Sequence, residues 1–219
     1  MIVQDAINLM ISWLDDPKQG YFDNPTCIKW LNYAQRMVQF ELLQAGNNWY
    51  AKPVETTLVV GQTDYVLPSD FVQEHRLEVV MSSYGTPQEM RQAIQPMTIN
   101  QQDLVPIQLG NPTNYYLKKD RLTLSPNPQT ALVLRMWYSP RVVDIAAVTD
   151  SLDVPEQFGE YVAIIAAFDG FIKDDRAPDN LVIKKAKYEE MIKKMAVDRI
   201  KDMPRQVVEV DAYSAGAWY

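Results

Sequence analysis

The period of the apolar pattern changes twice along this chain, and that double change constrains the fold more than any single motif. Over residues 3 to 14, Val3, Ile7, Met10, Ile11 and Leu14 recur at helical spacing, and Asp15-Asp16-Pro17 then stops the run. Asn24 is placed to cap a second helix with Pro25 at its first position. Ile28, Leu31, Ala34, Val38, Leu42 and Ala45 make its stripe, and Gly46 ends it. From about 53 to 149 the chain reads instead as strands and turns. Thr56 to Val60 is rich in β-branched residues, Tyr65 to Leu67 follows a turn at Gly61–Asp64, and Leu77 to Met81 is a short apolar run. Tyr115–Lys118 and Leu122–Leu124 form a hairpin about Lys119-Asp120, and Leu132 to Tyr138 is the clearest strand. Residues 86 to 112, rich in Gln, Pro and Asn, read as an extended loop. Helical spacing resumes at 153, where Asp153 is a cap candidate and Phe158, Tyr161, Val162, Ile165, Phe168 and Ile172 follow. Asp174 to Asp179 breaks this helix. Asn180 caps a last one carrying Leu181, Tyr188, Met191, Ile192, Met195 and Ile200, which Pro204 closes.

The order helices, strands, helices predicts an α+β fold. The simplest packing brings the two terminal helical pairs together as a four-helix unit, with the β-rich segment inserted between them. The boundaries are a helical pair at 1–52, the β-rich insertion at 53–149, a second helical pair at 150–203 and an extended tail at 204–219.

That tail, beginning RQVVEVDAY, is unusual for the end of a sequence. Termini are ordinarily polar, whereas this one alternates like a strand and carries Val207, Val208, Val210, Tyr213, Trp218 and Tyr219. Extended, its last fifteen residues reach roughly 50 Å. Its apolar side chains need a home, either on their own domain or on a neighbour. Trp218 and Tyr219 are of the type that anchors in a partner's pocket. These six residues are the candidate partner-binding site.

Composition excludes several classes of function. A formal charge of −7 is a poor start for gripping nucleic acid, because such affinity comes largely from Lys and Arg. No apolar run approaches the roughly 18 residues of a membrane span. The first sixteen residues lack the basic region of a signal peptide. Cys27 is the sole cysteine, so no intrachain disulfide forms and a reducing compartment is expected.

Catalytic signals are thin. The single histidine, His75, admits no His-paired metal site, and no nucleophile-elbow, zinc-protease, phosphate-loop or dinucleotide pattern occurs. Cys27, near a helix start, is either a thiol of lowered pKa or a small buried residue. The adjacent pairs Asp15-Asp16 and Asp174-Asp175 lie at helix ends and read as turn formers. The last helix carries Lys184, Lys185, Lys187, Lys193, Lys194, Arg199 and Lys201, interspersed with Glu189, Glu190, Asp198 and Asp202. It is either a basic face for nucleic acid or, as the interspersed acids favour, a solvated face laced with salt bridges. No catalytic residue, cofactor or metal site is expected.

Several segments resemble a known family. Gly61-x-x-x-Tyr65-x-Leu67-Pro68-x-Asp70-Phe71 is similar to a stretch common in the head-to-tail adaptors of tailed phages. So are Gly110-x-Pro112-x-x-Tyr115 followed by Leu122-x-Leu124-x-Pro126, Val154-Pro155-Glu156-x-Phe158-x-Glu160-Tyr161, and the helix carrying Trp30-Leu31-Asn32. Together they cover most of the chain in the family's order. The chain thus resembles the short-tailed phage adaptors, among them tail tubular protein A and the adaptor rings of podoviruses and crAss-like phages. The resemblance implies a helical bundle with a β insertion, in a structural, non-enzymatic protein. It also implies a homo-oligomeric ring, a dodecamer, docked under the portal protein and gripping the next tail or nozzle protein. DNA would pass through without specific binding. It further implies a place in the neck or tail of the virion, after synthesis in the bacterial host cytoplasm, with no membrane partner. In such adaptors the extended C-terminus reaches into the portal or an adjacent subunit, the role Val207, Val208, Val210, Tyr213, Trp218 and Tyr219 would take here. Another neck or fibre-attachment protein of the virion, a small carboxylate enzyme and a nucleic-acid-binding module are the alternatives.

Overall fold

A computed structural model describes residues 1–16, 22–82, 90–98 and 109–202. The described elements are α1 (Val3–Leu14), α2 (Asn24–Gln44), β1 (Lys52–Thr57), β2 (Asp64–Val66), β3 (Phe71–Ser82) and β4 (Met90–Pro96). They continue with β5 (Leu109–Gly110), β6 (Asn114–Lys118), β7 (Arg121–Ser125), β8 (Asn127–Pro128) and β9 (Val133–Pro140). A 3-10 turn at Glu156–Phe158, α3 (Gly159–Lys173) and α4 (Asp179–Asp202) complete the series. The architecture is the expected α+β one, with helices from both chain ends sharing one core and a sheet between them in sequence.

Helix α1 ends as its sequence directs, with Asp15 in the left-handed conformation at φ 55° and Asp16 Oδ2 accepting from the Phe22 N–H at 3.0 Å. The cap of α2 is Asp23 rather than Asn24. Its carboxylate accepts from the Thr26 N–H at 3.1 Å, with Pro25 in the first turn. Gly46, at φ 71°, takes the left-handed position past the helix end. Asp153 does not cap α3. Its carboxylate accepts from the Val143 N–H at 3.0 Å, and the helix proper starts only at Gly159, after the 3-10 turn. Helix α4 begins at Asp179, which puts Asn180 inside it.

Helix α3 is the centre of the helical core, packing against α1, α2 and α4. Tyr161, Val162, Ala163, Ile164, Ala166 and Ala167 are all fully buried, so the helix is apolar on nearly every side. Small residues let the neighbours come close: a Cβ on Gly170 would stand 2.6 Å from Leu14 Cδ1 of α1. Leu14, Leu31, Leu42 and Ile164 are each about 0–1 % exposed, and burying one such side chain contributes about 1.5–3 kcal/mol.

A second core lies inside the sheet. Seven strands run in the order β1-β9-β3-β4-β6-β7-β2, antiparallel throughout except for the short parallel contact of β4 with β6. Register shifts at Phe71/Gln73 and Glu74/Arg76 mark bulges in β3, which bend a strand and deepen its twist. Leu58, Tyr65, Leu77, Val79, Leu122, Leu124, Leu134 and Met136 pack together on the inner face. Strand β4 falls within the stretch expected as loop. Only Ile94 of its seven residues is buried, so no apolar alternation marks it.

After β9 the chain runs back along α2 as an extended strap to Ile145, turns at 147–150 and returns to α2 at Asp153. Three amides of α2 hold it, each with one donor and one acceptor. Gln39 donates to the Pro140 carbonyl at 2.7 Å and accepts from the Val142 N–H at 3.3 Å. Gln35 donates to the Val143 carbonyl at 2.7 Å and accepts from the Asp153 N–H at 3.4 Å. Asn32 does the same with Ile145. The strap also meets α1, where the Val3 N–H donates to the Asp150 carbonyl and Gln4 to that of Val148. The sheet is thereby fixed against the helices through main-chain groups of the strap, among them those of the buried Val142 and Ile145.

Candidate assembly interface

Strands β1 and β2 are consecutive in the chain yet stand at opposite ends of the sheet order. The sheet curls until these two ends face each other again. They are tied at one corner, where the Tyr65 hydroxyl accepts from the Val59 N–H at 3.0 Å. At the start of β1, Lys52 Nζ meets Asp70 Oδ2, just before β3, at 2.8 Å, and the Tyr138 hydroxyl of β9 between them donates to the other Asp70 oxygen at 3.0 Å. The hydrogen bond from Lys52 holds the Asp70 carboxyl below its ordinary value, and the same contact raises the Lys52 amine. Between β1 and β2 a groove of about 250 Å³ remains, lined by Val54 and Thr56 on one side and by Tyr65, Val66 and Leu67 on the other.

The groove is open on its β1 side. Val54 and Thr56 pair with Met136 and Leu134, which are buried, yet Val54 is only half-buried and Thr56 is exposed. Among the described residues no strand pairs with the outer edge of β1 or of β2. Unpaired edges beside apolar side chains make a template for a further strand.

A second exposed apolar surface lies on α2, where Tyr33, Met37 and Phe40 recur at helical spacing and are 54, 37 and 56 % exposed. Exposed apolar residues clustered on one face mark surfaces that an assembled protein covers.

The six tail residues singled out by sequence, Val207, Val208, Val210, Tyr213, Trp218 and Tyr219, all lie outside the described residues. The other candidates fall in structural settings. His75 Nε2 is 2.6 Å from the buried Ser139 Oγ. Cys27 is fully buried, and burial pushes its thiol up to about 11, overriding any help from the nearby helix start. Asp175 sits at φ 51° in the turn after α3, as a turn former should, and Asp174 pairs with Arg176. Lys184 pairs with Glu160 at 2.9 Å, Lys185 with Glu189 at 3.5 Å and Lys194 with Glu190 at 2.9 Å. Lys185 and Lys194 therefore follow the pattern of interspersed salt bridges, whereas Lys184 reaches across to α3. Among the described residues no group of His, Cys, Asp and Glu is placed to hold a metal, and no described helix is long and apolar enough to cross a membrane.

Sequence reasoning missed the arginine cluster on the outer face of the sheet. Glu78, 1 % exposed, has Arg76 Nη2 at 2.8 Å, Arg135 Nη1 at 3.6 Å and Arg91 Nη1 at 3.8 Å, and Arg135 also reaches Glu55 at 2.7 Å. The signal was there in part: Glu55, Arg135 and Glu78 occupy directly paired positions on three neighbouring strands.

Residues 1–210 match the family model described as SU10 adaptor protein. The chain belongs to the SU10 adaptor protein family. It is therefore a phage structural adaptor, and the match spans the helices, the sheet and the start of the tail. No curated protein matches this SU10-family adaptor.

Proposed function

We propose that this adaptor forms the ring that joins the portal to the tail of a phage particle and lines the passage for DNA, without catalytic activity. What carries the proposal is the family membership of residues 1–210. The open sheet edges and the exposed face of α2 support it, because they are surfaces of the kind that neighbours cover. A net charge of −7 suits a channel that passes DNA without holding it. Closing a ring needs heterologous contacts, two different patches of each copy meeting around an axis.

In this proposal the chain works in four parts: residues 1–52 and 150–203 as the helical body, 53–149 as the β-rich insertion and 204–219 as the partner-binding tail. Val207, Val208, Val210, Tyr213, Trp218 and Tyr219 grip the portal or a neighbouring subunit. The ring is a dodecamer of the kind found in podovirus and crAss-like adaptors and in tail tubular protein A, and it holds a downstream tail or nozzle protein. The protein is made in the bacterial host cytoplasm and ends in the neck of the virion.

Mass measurement of the purified protein, alone and mixed with its portal protein, tests this. A closed oligomer in either sample is expected, and removing 205–219 should weaken it while leaving the fold intact. A chain that stayed monomeric and bound no portal protein in any mixture would overturn the ring.

A further inference from the structure

We propose that the groove between β1 and β2 receives residues 207–212 of the C-terminal tail of a neighbouring copy, added to the sheet as an eighth strand. The choice of a neighbour rests on the ring proposed above; the groove itself rests on the geometry of the sheet.

The receiving side has what a strand needs. The edge of β1 and the edge of β2 both lie at the ends of the sheet order, so a segment laid in the groove finds main-chain partners chiefly along β1, with Val66 on the β2 flank, where the Asp64 carbonyl already accepts from the Gln62 amide. The floor is apolar, and the volume of about 250 Å³ is of the size of a few branched side chains rather than of a whole domain. The Tyr65–Val59 contact stands at one end and β2 is only three residues long, which limits the guest to a short run of residues. Thr56 and Val54, the inward positions of β1 that lack full cover, are the ones a guest would bury.

The tail has the matching pattern. In an extended segment alternate side chains face opposite ways. Val208, Val210 and Ala212 fall on one face, and Glu209 and Asp211 on the other. With the valines on the groove floor, the two carboxylates point outward. There the adjacent β6–β7 hairpin presents exposed Lys118, Lys119 and Arg121, with Arg121 directly paired to Val66 of β2. The tail has the reach: α4 is described to Asp202, and the five residues to 207 span up to about 17 Å when extended. Each copy then gives a strand to one neighbour and takes one from the other, the heterologous contact a ring requires.

Paired cysteines in the full-length chain test this. One chain carries Thr56→Cys and a second Val208→Cys or Val210→Cys, the two tail positions covering alternative registers. Cys27 stays silent because it is buried and its thiol is raised. Mixed under oxidising conditions at high concentration, the chains should form a disulfide-linked dimer. The dimer should be lost when Ser12→Cys, on the exposed side of α1, replaces Thr56→Cys. A Thr56→Cys, Val208→Cys double variant that cross-links only within one chain would show the tail folding back on its own sheet and would overturn the proposal. So would the absence of any link from Thr56→Cys. If cross-linking fails while deletion of 205–219 still abolishes portal binding, the adaptor function stands and only the groove falls. If the deletion also leaves portal binding intact, the tail has no part in either.

Discussion

Asn32 and Ile145 exchange two hydrogen bonds: the Asn32 amide donates to the Ile145 carbonyl at 3.0 Å, and its oxygen accepts from the Ile145 N–H at 2.7 Å. A side chain on a helix thus does for the strap what a neighbouring strand does in a sheet. Asn32→Asp keeps the shape, removes the donor and leaves the Ile145 carbonyl facing a carboxylate. The expected loss is about 1–3 kcal/mol, read as a lower urea midpoint with an unchanged slope. Tyr33→Ser, next in sequence but on the exposed face, should change stability by no more than about 0.5 kcal/mol.

Gly170 is a packing requirement, not a source of flexibility. A Cβ there would meet Leu14 Cδ1 at 2.6 Å and Cδ2 at 3.0 Å. Gly170→Ala gains about 1 kcal/mol of helix propensity but overpacks the α1–α3 contact, which typically costs about 1–3 kcal/mol. Net destabilisation is expected, with partial recovery in the Gly170→Ala, Leu14→Val double variant. A double-mutant cycle by thermal or urea unfolding would show positive coupling, and strictly additive effects would rule the contact out.

The Lys52–Asp70 pair, which joins β1 to the start of β3 across β9, carries a pH signature. Asp70 is depressed, so its contribution is present above the unfolded value near 3.9 and is lost as the pH falls through its folded value. Lys52 is raised, so its contribution is present below about 10.4 and is lost as the pH climbs through its folded value. The stability difference between the native chain and Asp70→Asn should therefore be flat between about pH 4 and 10 and shrink on either side. Both groups are partly exposed, so the difference is small and should shrink further in salt.

Cys27 should be inert in the folded protein. It is fully buried and its thiol is pushed up to about 11, chiefly by burial, with Asp23 and Asp16 adding to the rise. At pH 8 a colourless thiol titrant that turns yellow on reaction should report almost no free thiol until urea unfolds the chain, and then one per molecule. Fast reaction in native buffer would mean that the start of α2 opens readily.

The helices were the most legible part of the sequence, for a physical reason. Val3, Ile7, Met10 and Leu14 of α1 and Leu31, Val38 and Leu42 of α2 all face the single helical core, so their spacing displays the period directly. Strand β4 was invisible because burying Ile94 alone leaves no alternation to see. The start of α3 was read too early because Asp153, a fitting cap by type, spends its carboxylate on the strap instead. The amides Asn32, Gln35 and Gln39 were visible as polar residues beside the apolar stripe of α2, and their spacing of three and four marks one helix face. What they hold comes from more than a hundred residues away, which periodicity does not report. The groove was hidden for a similar reason. Alternation tells which face a strand residue takes, but not that two consecutive strands end up at opposite edges of a curled sheet.

The strap has a mechanical consequence. Five of its six bonds, from Pro140, Val142, Val143 and Ile145, step back along α2 from Gln39 to Asn32, antiparallel to the helix, while the sixth brings Asp153 back to Gln35. A load drawn along the helix axis strains those five together, whereas a load across it peels them away in succession, beginning at Gln39 where the strap leaves the sheet. The joint between sheet and helices is accordingly stiff in one direction and compliant in the other.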